Sequence, residues 1–194
     1  MFLEFESQSA IFHSNQSRNS WEILYEMRHH GIRTRLLDWS GSFAIALYFA
    51  LRHHKAGKTP SIWILNSMKL NEKSVDRRRI IGIDPEQDFD YRKMFVNFSV
   101  APFEKPVAIY PLKSHPRLIA QNSFFTVHGT NLNPLDEICS DDVVKQFDIP
   151  PEIIPDARKF LHLTNMNEYS LFPDLDGLGR KMNKYYFGNW ETFR

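Results

Sequence analysis

The chain is poor in the features that would assign it quickly. Cys139 is its single cysteine, so no intrachain disulfide can form, which suits a reducing, cytoplasmic compartment. No stretch approaches the roughly 20 consecutive apolar residues of a spanning helix. The start, Met1 to Glu6, lacks the basic flank and apolar run of a secretion signal, so no membrane association is expected. Net charge is +1, too little to gather nucleic acid or anionic lipid through a global field. Glycine is scarce at 8 residues, and no glycine-rich phosphate loop or Ser–His–Asp pattern is present. His29-His30 and His53-His54 are adjacent pairs that diverge by about 100° on a helix, the wrong spacing to share an ion. No metal is expected.

What the chain does have is core. Sixteen Phe and four Trp within a 42% hydrophobic composition supply a large apolar interior. The expectation is α+β, a single domain over residues 1–194, with a mixed central sheet flanked by helices. Residues 1–15 read as the end of a helix, and Gln16 to Asn19 as a polar break. Ser20 can cap a helix carrying Trp21, Leu24 and Tyr25 at helical spacing, with Gly31 as its stop. Thr34 to Trp39 reads as extended. Ser42 can cap a helix over residues 43–54 that is apolar nearly all round, hence buried.

Ser61 to Asn66 reads as a central strand, apolar on both faces. Residues 69–96 read as a polar excursion with a short strand at Ile80 to Ile83. Val107 to Tyr110 reads as a strand, and Arg117 to His128 as a longer one covered on both sides. Asn133-Pro134 opens a helical turn, Pro150-Pro151 precedes a helix through Leu161, and Phe172-Pro173-Asp174 begins a last helix. The aromatic tail from Phe187 is expected to dock back.

The densest polar block is His29-His30-Gly31-Ile32-Arg33-Thr34-Arg35-Leu36-Leu37-Asp38-Trp39-Ser40. Polar groups between buried elements need partners, because an unpaired one costs roughly 1–3 kcal/mol. If the segment is extended, Thr34, Leu36, Asp38 and Ser40 share one face at the mouth of the following helix. The N-terminus of that helix offers unpaired N–H groups to a phosphate or polar ring. The other reading is an internal network in which Asp38 bonds Arg35 or caps the turn, and spacing alone favours it. By alternation Gln121 shares a face with Ile119, Phe125 and Val127, so its amide either orients a ligand or bridges to the Thr34–Asp38 network. Arg77-Arg78-Arg79 with Lys73 lacks interleaved aromatics and reads as a solvated loop. Nucleic acid ranks last among the partners.

These residues resemble the FRG domain family. Its central signature, Gln-His-Tyr-Gly-x-Pro-Thr-Arg-Leu-Leu-Asp-Trp-Thr, is similar to Arg28 through Ser40, and the Ala-Leu-Tyr-Phe-Ala that follows is Ala46 to Ala50. Arg-x-x-Ala-Gln-x-Gly-x-Phe resembles Arg117 to Phe125, and Phe-Pro-Asp-Leu-Asp-Gly matches Phe172 to Gly177. The sequence departs from the pattern at Arg28 for Gln, Arg33 for Pro and Ser123 for Gly. The Phe-Arg-Gly that names the family is missing, so the chain is expected to be truncated at its N-terminal side. If that segment is a strand, the sheet edge is expected to be covered by the N-terminal residues or by another chain, such as an oligomer partner.

A further analogy, to ADP-ribosyltransferases, lies in the spacing from Ser40 to Ala46 and Phe49-Ala50, with Gln121 near the place of their glutamate. The resemblance thus implies a nucleotide such as NAD bound in a cleft, with ADP-ribosyl transfer or NAD cleavage as the reaction. Asp38 and Gln121 are the catalytic candidates, and His29, Thr34, Arg35 and Ser40 the ligand-binding ones. Because an amide cannot act as a base, the cleft is also read as one that binds a nucleotide and transfers nothing. The alternative is a non-catalytic interaction module or a degenerate domain from a mobile-element or defence context, in which Asp38→Asn would lower the melting temperature sharply.

Overall fold

The computed structural model describes residues 1–13, 18–55, 57–83, 89–111, 113 and 115–188. Their elements begin with α1 (Phe2–Ser9), α2 (Ser20–His29), β1 (Leu36–Ser40), α3 (Phe43–Arg52), β2 (Ser61–Leu65), α4 (Ser67–Val75), β3 (Ile81–Gly82) and α5 (Tyr91–Phe95). They continue with β4 (Val107–Tyr110), α6 (Pro116–Ala120), β5 (Ser123–Val127), α7 (Leu135–Ile138), β6 (Val144–Asp148), α8 (Ile154–Leu163), α9 (Glu168–Leu171) and α10 (Leu175–Phe187). The architecture is α+β, with a mixed sheet and flanking helices. Two compact units interleave along the chain. The first comprises Met1–Asp38, Asn66–Leu112 and Phe125–Val143; the second comprises Trp39–Leu65, Lys113–Phe124 and Val144–Arg194. Gln16, Ser17 and the tail beyond Gly188 lie outside the described residues.

In the first unit, α2 is bounded by side-chain chemistry. Asn19 rather than Ser20 is the cap, since its extended backbone lets Oδ1 accept from the N–H groups of Trp21 and Glu22, while Glu22 accepts from the Asn19 N–H in return. Gly31 ends the helix at φ +78°, a left-handed turn that only glycine adopts without steric cost, and Ile32 N–H reaches back to the Met27 carbonyl at 2.9 Å. The buried face presents Trp21, Leu24 and Met27. The Trp21 indole N–H donates to the Phe89 carbonyl at 2.8 Å and its ring stacks on that of Phe89.

The larger sheet has the order β1-β5-β4-β3. Within it β4 runs antiparallel to β5, Val107 opposite Val127 and Ile109 opposite Phe125, while β3 runs parallel to β4. Residues 69–96, expected as a polar excursion, contain α4 and α5, and the reason is one buried amide. Asn71 on α4 is 0% exposed. Its Nδ2 donates to the carbonyls of Arg79 (2.7 Å) and Ala108 (2.8 Å), and its Oδ1 accepts from Ala108 N–H at 2.7 Å. A polar sequence therefore forms a helix docked on β4, where the fully buried Asn71 amide has every bond satisfied, although Ser74 Oγ on the same helix is buried without a partner.

In the second unit, Ile45, Leu47, Tyr48 and Leu51 of α3 pack with Ile62, Ile154, Leu161, Leu171 and Phe172. Two expectations fail here. The helix over residues 43–54 ends at Arg52 and is not buried all round, since Phe43 and Phe49 face solvent. The stretch from Ser61 is no central strand either. β2 pairs only with β6, antiparallel with Ile62 opposite Phe147, and Trp63 and Ile64 are exposed. β-branched and aromatic content announces a strand but not how many neighbours it will have.

The long strand expected from Arg117 to His128 is instead α6, a turn and β5. Pro116 sits at the first helical position, the His115 ring nitrogen accepts from Arg117 N–H at 3.1 Å, and Asn122 takes φ +43° to break the helix. Gln121 is therefore a helix C-cap and does not share a strand face with Ile119, Phe125 and Val127; Ile119 is exposed. The helix expected to open at Phe172-Pro173-Asp174 is α10, with Asp174 capping it through the Gly177 N–H at 2.6 Å. Substituting Asn71 by Leu should lower the unfolding free energy by about 3 kcal/mol, because it strands two carbonyls and one N–H. Urea denaturation followed by circular dichroism measures this, and a change below about 1 kcal/mol would show that water replaces the amide.

Candidate functional site

Four of the residues singled out from sequence lie in the first unit, and each has intramolecular work there. Asp38 is exposed and accepts from Arg28, with Nε at 2.8 Å and Nη2 also donating. Its partner is thus neither Arg35 nor the turn. Arg35 donates to the Gly129 carbonyl at 2.7 Å and lies 4.8 Å over the Phe95 ring, beside Tyr91. Burial pushes the Tyr91 hydroxyl up despite the neighbouring Arg35 charge, which keeps it protonated. Thr34 Oγ1 accepts from Leu36 N–H at 3.2 Å, closing a small turn at the strand entrance. His29 is half-buried in the last turn of α2, its ring edge-on to that of His30 at 5.1 Å.

The other two meet in the second unit. Ser40 Oγ donates to the Gln121 carbonyl at 3.0 Å and accepts from Ser42 N–H at 3.2 Å, while Gly41 N–H donates to Asn122 O. The Gln121 side chain donates through Nε2 to the Leu171 carbonyl at 3.0 Å. The amide read from sequence as a ligand-orienting or bridging group thus ties α6 to α9.

Beside Leu171 stands an assembly that sequence reasoning missed. Phe172 is 2% exposed, and three guanidiniums surround its ring: Arg117 at 4.2 Å, Arg52 at 4.5 Å and Arg180 at 5.3 Å from its centroid. Glu168, one turn earlier on α9, accepts from Tyr48 Oη at 2.6 Å and from Arg52 Nε at 3.0 Å on Oε1. Its Oε2 accepts from Arg52 Nη2 at 2.9 Å and from Arg180 Nε at 3.1 Å. Burial raises the Glu168 pKa, but the hydrogen bonds from Tyr48 and Arg52 and the guanidinium charge outweigh it, holding the carboxyl below its ordinary range. Burial and the Glu168 carboxylate push the Tyr48 hydroxyl up, so it remains a donor.

Local geometry fixes where Phe172 lies. A Cβ on Gly177 would come within 1.8 Å of the Phe172 carbonyl oxygen, so only glycine permits the tight entry into α10. Tyr48, Arg117, Phe172 and Gly177 all belong to the motif segments quoted from sequence. Glu168 and Arg180 do not, and nothing in the sequence pattern marks them.

The model of the FRG domain family matches residues 1–59. Residues 1–59 are thus similar to an FRG domain. No curated protein and no solved structure matches it. The FRG match takes in the block from Arg28 to Ser40 and the helix α3, including Tyr48 and Arg52. Arg28, which stands where the family pattern has Gln, gives Asp38 an ion-pair partner where an amide would give a hydrogen bond. No described helix is long and apolar enough to cross a membrane. Among the described residues, no three His, Cys, Asp or Glu side chains gather as a metal site would require.

Chemically, the Glu168 assembly is a charge-pairing device and not an acid–base pair. Its carboxylate is held ionised with its lone pairs taken up, and guanidinium groups are donors only. The two acid–arginine pairs should differ in weight. Glu168→Gln is expected to cost about 2 kcal/mol because it leaves a partly buried Arg52 without its counter-charge. Asp38→Asn, at an exposed pair, should cost less than about 1 kcal/mol, so the sharp fall in melting temperature expected of a buried network at Asp38 is replaced by a small one. Chemical denaturation of both variants checks the order.

The Glu168 contribution should also depend on pH in a defined direction. Its folded pKa is depressed, so the stabilisation is fully present above the ordinary value near 4.5 and disappears as pH falls through the folded value. Below about pH 4.5 the wild-type urea midpoint should therefore fall more steeply than that of Glu168→Gln; parallel slopes would contradict the assignment.

Proposed function

We propose that this FRG-like domain binds a nucleotide, with NAD as the candidate, and transfers nothing. The nucleotide part draws on the ADP-ribosyltransferase-like spacing from Ser40 to Ala46 and Phe49-Ala50, which also suggests a similar fold. The absence of transfer rests on one observation. Gln121, in the region where that analogy looks for a glutamate, is an amide committed to the Leu171 carbonyl at 3.0 Å. An amide can neither take a proton nor stabilise a sugar cation by charge. On this reading Ser40 and Gln121 are candidate ligand contacts of the second unit, and His29, Thr34, Arg35 and Asp38 are candidates within the first, each unit taken by itself. One cysteine and no spanning helix among the described residues accord with a cytoplasmic setting.

The second reading is an interaction module without a small-molecule ligand. It is favoured by the intramolecular bonds that Thr34, Arg35, Asp38, Ser40 and Gln121 already make. Calorimetric titration with NAD, paired with chromatographic detection of nicotinamide, separates the cases. The expected result is saturable heat with no nicotinamide released. Release by the wild-type chain would overturn the non-catalytic reading, and no heat together with no release would leave the interaction module.

A further inference from the structure

We infer that Arg52, Arg117 and Arg180, arrayed around Phe172, form a receptor for a phosphate or diphosphate group. The inference deepens the nucleotide reading by naming the part of the ligand that is gripped, and it rests on that reading only for the ligand's identity.

The argument starts from donor and charge balance. Glu168 accepts from Tyr48 Oη, Arg52 Nε, Arg52 Nη2 and Arg180 Nε, which fills the roughly four lone-pair sites of a carboxylate. Arg52 and Arg180 together still carry more N–H donors and more positive charge than this one carboxylate can absorb. If structure were the only demand, one arginine on one carboxylate would satisfy it, since like charges brought together cost energy. A second cation on the same carboxylate is the arrangement an incoming anion would stabilise.

The geometry is also prepared in advance. Holding an arginine still costs on the order of 0.5–1.5 kcal/mol of side-chain freedom, normally lost when the ligand arrives. Here the ring of Phe172, at 4.5 Å from Arg52, 4.2 Å from Arg117 and 5.3 Å from Arg180, bears that cost beforehand through cation–π stacking. A guanidinium held over the ring in this way can still donate N–H groups to phosphate oxygens. The Arg180 side chain is 44% exposed, so an anion can reach the cluster from solvent, while that of Arg52 is 20% exposed and sits deeper. Glu168 is a positioning residue in this scheme: it orients two cations whose combined charge exceeds its own.

The test uses the full chain with three probes: inorganic pyrophosphate, NAD, and adenosine as the phosphate-free control. In wild type, pyrophosphate and NAD should both bind and adenosine should bind more weakly. Arg180→Ala should raise both dissociation constants at least tenfold with only a small fall in melting temperature, since Arg52 still pairs Glu168, and R180K should lie between, because it keeps charge but loses the planar fork. Arg78→Ala, at an exposed arginine of the first unit, should change nothing, which excludes an effect of net charge. If Arg180→Ala proves unstable, Arg117→Ala on α6 carries the same expectation. Pyrophosphate failing to bind, or binding Arg180→Ala and Arg117→Ala as tightly as wild type, overturns the inference. NAD binding that ignores both substitutions also overturns it, though the nucleotide reading stands. Pyrophosphate binding that responds to them while NAD fails to bind supports the receptor and ends the nucleotide reading in favour of free phosphate.

Discussion

The second unit is organised by a single carboxylate. Glu168 draws Tyr48 and Arg52 from α3 and Arg180 from α10 onto the first turn of α9. Removing such a charge from water is costly unless every lone pair is taken up, and here each is. The same residue lets Arg52 and Arg180 crowd onto one phenylalanine, because its negative charge offsets their repulsion. The Tyr48 hydroxyl, held protonated by burial and by the carboxylate itself, is fixed as a donor. The apolar cluster of Leu47, Leu51, Leu171 and Phe172 therefore packs against an ionic layer whose geometry is as constrained as its own.

The first unit applies the same rule with a neutral amide at its centre. Asn71 is entirely buried, and its amide completes the hydrogen bonding of β4 at Ala108 and of the loop at Arg79. Arg35 does comparable work at Gly129, with its guanidinium laid on Phe95. In both units the polar groups that matter most to the fold touch backbone carbonyls or one another. That is why the polar block from His29 to Ser40 is spent largely on internal bonds, and why the surplus of donors is found instead around Phe172.

Elements with local signals were legible from sequence. Gly31 ends α2, whose cap is Asn19 one residue before the expected Ser20; Val107 to Tyr110 is a strand, Pro151 precedes α8, and Asp174 opens α10, each through a cap, a turn or a proline acting within a few residues. Arg117 to His128 misled because its apolar content fits a strand, whereas Pro116 and the left-handed Asn122 divide it. β6 was missed because Val144 to Asp148 is mostly polar and exposed, and only its pairing with β2 makes it a strand.

Family resemblance and the capping and turn chemistry of the chain followed from residue order alone, since both depend on neighbours a few positions apart. Which polar groups would meet did not. Glu168 lies 116 positions from Arg52 and Gln121 lies 50 from Leu171, and separations of that kind are closed by packing. Sequence named Arg117, Gln121 and Phe172 as parts of motifs; only the tertiary fold decided that the arginines would converge on the phenylalanine while the glutamine turned to a backbone carbonyl. The reason is physical: a charged side chain records its chemistry in the sequence, but its partner is chosen by whichever distant helix burial brings alongside.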